Sequence, residues 1–118
     1  MPHLTLEYTD NLPALDARDV LLELNRTLVE SGHFEEADIK SRAIKLDTFV
    51  VGTSSDRRAF VHVKLAVLSG RSPETKRALS ESLLLALKKF GEPATGGEVQ
   101  LCVEVLDIDR GSYAKAVS

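Results

Sequence analysis

The chain has 118 residues, 43% of them hydrophobic and 28% charged, with a net charge of -3, which is the make-up of a globular domain with a modest core. That charge argues against a general nucleic-acid binder, which would be strongly basic, and 5% aromatics without Trp argue against a base-stacking surface. The lone Cys102 excludes an intrachain disulfide framework and a cysteine-rich zinc site.

The apolar runs are too short to cross a bilayer. Glu7 and Asp10 interrupt any signal-peptide pattern. One cytoplasmic domain over residues 1–118 is the expectation.

Residues 3–9 read as a strand with Leu4, Leu6 and Tyr8 on one face. Asp10-Asn11-Leu12-Pro13 is a turn. The spacing of Val20, Leu21, Leu24 and Leu28 predicts a helix over 17–30, with Asp16 as its N-cap and Asp19 in the acid-favoured first turn. Ser31-Gly32 stops it. A second strand fits about 40–51, where Ile44, Leu46, Thr48 and Val50 share a face, and a polar loop runs from Gly52 to Arg58. The third strand, 59–68, turns Val61, Val63, Leu65 and Val67 one way and Phe60, His62 and Lys64 the other. Ser72 caps a second helix and Pro73 opens it. Leu79, Leu83, Leu84, Leu87 and Phe90 form its apolar face, Gly91 ends it and Pro93 lies just beyond. A fourth strand covers 98–108, with Val99, Leu101, Val103 and Val105 alternating against polar residues.

The order is β-α-β, repeated, and each half is long enough for a right-handed crossover. The expectation is an α+β subunit, β-α-β-β-α-β, with a four-stranded mixed sheet and both helices on one face, close to the ferredoxin-like layout. The bare face must meet water or another subunit, so association is expected to cover part of it.

Pro2 carries the sharpest chemical signal. A small second residue favours removal of Met1, which would leave a proline with a free secondary amine at the head of a strand. Within a chain, proline offers neither a backbone N–H nor a basic nitrogen; as the first residue it is a rigid proton acceptor. An α-amino group titrates near ~8, and burial or nearby cations lower that value toward the working pH of a general base. Lys40 and Arg42 at the start of the second strand and Arg71 before the second helix can supply such cations. In a β-α-β repeat the starts of strands one and three are expected to adjoin, and Arg71, which follows the third strand, then lies at the far end from Pro2. Reaching Pro2 would then need the pseudo-symmetry of the fold or a neighbouring subunit.

Pro2-His3-Leu4 with Glu7, Asp10-Asn11, Ser41-Arg42, Asp47-Thr48, Ala59-Phe60-Val61-His62-Val63 and Gly70-Arg71-Ser72 together resemble the 5-carboxymethyl-2-hydroxymuconate isomerases of the tautomerase superfamily. The likeness runs in order and spacing from Pro2 to about Glu81, and more loosely to the last strand. It implies a homotrimer with active sites at subunit interfaces, and an amino-terminal proline as general base and then acid. It also implies no organic cofactor and no metal. The implied reaction converts a tricarboxylate dienol to its 2-oxo-3-ene isomer in bacterial breakdown of homoprotocatechuate. It makes Arg42 and Arg71, with Lys40 as a third cation, the partners of substrate carboxylates, which a guanidinium grips through two parallel hydrogen bonds. The tail after Asp109 is shorter than is usual in that family, and Phe49 stands where a larger aromatic is common.

His3 and His62 lie on strands, where histidine is more often packed or hydrogen-bonded than catalytic. His3, His33 and His62 show no spacing typical of a metal site. Cys102 reads as a small packing residue and Arg57-Arg58 as a solvated loop. Two other functions fit the same residues: a tautomerase of another 2-hydroxydienoate or enol acid, and a non-catalytic, oligomeric ligand-binding module.

Overall fold

The computed structural model describes residues 1–54, 57–90 and 97–118. Its six main elements are β1 (His3–Thr9), α1 (Ala17–Glu30), β2 (Lys40–Leu46), β3 (Arg58–Leu68), α2 (Pro73–Leu87) and β4 (Glu98–Ile108). The four strands form one sheet in the order β2-β1-β3-β4. β1 runs parallel to β2, and β3 parallel to β4, as two crossover units require. The two halves join through an antiparallel β1–β3 pair in which His3 faces Ala66 and Tyr8 faces Val61.

Alternation along the strands and helical spacing along α1 and α2 meet in one apolar layer. Leu4, Leu6, Val61, Val63, Leu65 and Val67 project from the sheet onto Val20, Leu24 and Leu28 of α1 and Leu79, Leu83 and Leu87 of α2, all fully or almost fully buried. Both helices therefore cover one face. The caps are those expected: the Asp16 carboxylate accepts from the Asp19 amide, and the Ser72 hydroxyl accepts from the Thr75 amide with Pro73 in the first turn. Gly32 takes a φ of 80° just past α1, which a residue with a Cβ would resist.

Two expectations shift. The second strand stops at Leu46 rather than near residue 51. Its partner β1 ends at Thr9, opposite Leu46, and the chain leaves the ladder after the Asp10 amide donates to the Leu46 carbonyl. The Thr48 and Val50 alternation persists in sequence but has no strand to pair with, and Val50 is 75% exposed. On α2 the buried stripe passes through Ala86 and Leu87 while Leu84 is only half-buried, and the helix gives way to a 3₁₀ turn at Lys88–Phe90. The Gly91 stop and Pro93 lie outside the described residues.

The open face carries Glu7, His62 and Glu104 in a row: His62 Nε2 lies 3.0 Å from a Glu104 carboxylate oxygen and Nδ1 3.8 Å from one of Glu7. The edge strand β2 is largely exposed, Ile44 included.

Candidate active site

Pro2 is buried at the head of β1, and its carbonyl accepts a 3.2 Å hydrogen bond from the Lys40 amide. The parallel register sets Lys40 opposite His3 and Arg42 opposite Thr5, so both cations rise beside the start of β1. Lys40 Nζ donates to the Asp38 carbonyl at 2.7 Å, and Arg42 Nη2 lies 3.0 Å from His3 Nδ1.

Arg71 reaches the same corner from within the same chain, contrary to the sequence-based expectation. Because β1 and β3 are antiparallel, the end of β3 adjoins the start of β1, and the turn through Gly70 (φ 116°) delivers Arg71 there. Its guanidinium lies over the Phe34 ring, 4.7 Å from the centroid, a cation–π contact. Arg71 Nη2 donates to the His33 carbonyl at 3.5 Å, while its buried Nε has no hydrogen-bond partner. The α1–β2 connection thus supplies a platform that orients this arginine.

Sequence reading missed three residues of this corner. Asp38 ends the 3₁₀ turn Glu36–Asp38 before β2, and Lys115 Nζ bonds its carboxylate at 2.8 Å. Tyr113 Oη lies 2.9 Å from His3 Nε2. Both tail residues arrive because β4 is followed by a 3₁₀ turn at Arg110–Ser112, in which the Asp109 carboxylate accepts from the Gly111 amide and Arg110 Nε donates to the Ser69 carbonyl. Asp109 before Arg110-Gly111-Ser112 was a legible capping signal, but nothing in the tail announced its target.

The electrostatics shift the terminal amine toward its neutral form. Burial lowers the pKa of the terminal amine, carried by Met1 in this structure; Asp38 opposes the shift, and Lys40, Arg71 and Lys115 add to it. His3 is likewise lowered, by burial first and then by Arg42 and Lys40, so its ring stays neutral near pH 7. The hydrogen bond and charge of Lys115 hold the Asp38 carboxyl below its ordinary range.

Two cavities lie away from this corner. One of about 330 Å³ sits between α1 and α2, and one of about 590 Å³ beside Phe49, Val50 and Arg58, at the opposite end of β1 from Pro2. The cationic corner lies at the surface of a single chain, with Arg42 exposed and Lys40 and Arg71 partly exposed around buried Pro2. Among the described residues, no group of three or more His, Cys, Asp or Glu side chains could hold a metal ion.

Comparison with known proteins agrees with this geometry. The family model for 5-carboxymethyl-2-hydroxymuconate isomerase matches residues 2–117. A 5-carboxymethyl-2-hydroxymuconate Delta-isomerase of Escherichia coli is 33% identical over 89 residues, covering 75% of this chain and 71% of that protein. The crystal structure of a 5-carboxymethyl-2-hydroxymuconate isomerase from Deinococcus radiodurans R1 superposes with a TM-score of 0.91 at 32% identity, over 99% of this chain and 90% of that one. A fused 4-OT symmetric trimer shares the fold at a TM-score of 0.73 and 22% identity, over 97% of this chain and 91% of that one. With a basic corner built on Pro2 and a family match along almost its whole length, the chain is an isomerase and belongs to the 5-carboxymethyl-2-hydroxymuconate isomerase family.

Proposed function

We propose that this isomerase works through the nitrogen of Pro2, exposed by removal of Met1, on 5-carboxymethyl-2-hydroxymuconate. The neutral amine takes the proton of the 2-hydroxyl group. The C2–O bond becomes a ketone, the double bonds shift along the conjugated system, and the resulting prolinium returns the proton to C5. The product is the 2-oxo-3-ene isomer, and atoms and charge balance without an oxidant or added group.

Arg42 and Arg71 hold substrate carboxylates, and either can stabilise the negative charge that develops on the C2 oxygen. Lys40 contributes mainly by disfavouring the ammonium form of the base. The observation that carries this reading is the convergence of Lys40, Arg71 and Lys115 on the partly exposed amino terminus beside buried Pro2, with Arg42 next to His3. A single chain leaves this corner open, which supports a homotrimer in which a neighbouring subunit closes the site. A cytoplasmic location fits an enzyme of aromatic-acid breakdown.

The test is a continuous ultraviolet assay on protein whose intact mass shows loss of Met1, wild type beside Pro2→Ala. Turnover by the wild type is expected, with a clear drop in the variant, whose terminal amine is primary and lacks the rigid ring of proline. Equal rates for both would show that the proline ring is not needed by the mechanism.

A further inference from the structure

We infer that His3 is a positioning residue for Arg42, and that Tyr113 from the C-terminal tail holds His3 in place, so that the tail belongs to the site. This rests on the reading that Arg42 binds a substrate carboxylate beside Pro2.

The hydrogen bonds fix the arrangement. Arg42 Nη2 is always a donor, so His3 Nδ1, 3.0 Å away, must accept. A neutral imidazole whose Nδ1 accepts carries its proton on Nε2. That N–H faces Tyr113 Oη at 2.9 Å and donates to it, and the two rings meet edge to face with centroids 6.0 Å apart. Both ring nitrogens are thereby occupied, which leaves His3 no free site for proton transfer with a substrate.

Arg42 needs such support. It sits on the exposed edge strand β2, where a long side chain is otherwise free to rotate. One N–H group spent on His3 restricts the guanidinium and leaves the rest of its donors available for a carboxylate. The groups whose charge bears on His3 are Arg42 and Lys40 of β2, the amino terminus and Lys115 of the tail, all cationic when protonated. An imidazolium at this spot would turn an Nδ1–H toward the guanidinium and break the contact.

The tail is anchored on both sides of Tyr113. Before it, the Ser69 amide donates to the Ile108 carbonyl at 2.9 Å and Arg110 donates to the Ser69 carbonyl. After it, Lys115 bonds Asp38 at 2.8 Å.

The experiment combines kinetics on 5-carboxymethyl-2-hydroxymuconate with a spectrum that needs no substrate. Tyr113→Phe and His3→Phe should each raise KM about three- to tenfold, the scale of one side chain's lost preorganisation, with kcat within about twofold. In an Arg42→Met background both should have almost no further effect. His3→Asn, whose side-chain oxygen lies near the place of Nδ1, should recover most of the loss. Unchanged KM in Tyr113→Phe, or full additivity with Arg42→Met, would overturn the inference. Independently, two-bond ¹H–¹⁵N spectra of the wild type should show a neutral Nε2–H tautomer for His3 at pH 7; an Nδ1–H tautomer or an imidazolium would overturn it. If the wild type turns nothing over, the role given to Pro2 fails, and the spectrum still decides the hydrogen-bond chain.

Discussion

The base proposed at residue 2 is a backbone nitrogen, so its tuning would fall to its neighbours. Burial is the main force lowering the terminal amine, and the cations add to it while Asp38 opposes. The sign is testable. The acidic limb of kcat/KM should lie below the ordinary ~8 of an α-amino group. Lys40→Met removes a cation that disfavours the ammonium form, so the limb should move to higher pH. Asp38→Asn removes the opposing anion, so the limb should move to lower pH. A pH–rate profile reads both, and a limb that ignores both substitutions would exclude these groups as the source of the tuning. Residue type and strand position mark Pro2, Lys40, Arg42 and Arg71 as candidates in the sequence, and the structure brings them to one corner. Asp38, Tyr113 and Lys115 were not so marked, because they reach this corner only through contacts between the C-terminal tail and distant parts of the chain.

The elements follow from local signals where those signals are sufficient. Asp16 and Ser72 start their helices as their side chains dictate, and the alternation of β3 survives as strictly buried Val61, Val63, Leu65 and Val67. Ser72→Ala should cost about 1 kcal/mol of stability, the usual worth of such a cap, and thermal unfolding should show a midpoint lower by several degrees. An unchanged midpoint would show that Pro73 alone starts α2. Local signals fail where pairing decides. The length of β2 is set by where β1 stops, which no pattern within residues 40–51 records. The place of Arg71 depends on the direction of β3 against β1. Crossover handedness fixes the strands within each half but says nothing of how the halves meet, and the antiparallel junction reversed the expected position of that arginine.

At the scale of the molecule, one face of the sheet is covered by both helices while the other is open, and β2 lies along an exposed edge. Unpaired edges invite pairing with another chain. Light scattering coupled to size exclusion should return about three times the 12.9 kDa chain. A monomer with full activity would show that the open corner at Pro2 needs no second subunit. The tail has a consequence for synthesis. His3 is made well before its partner Tyr113, which lies 110 positions later. A chain released before Tyr113 is added lacks the clasp on His3. Substrate affinity in this protein, more than turnover, would then report whether the tail is in place.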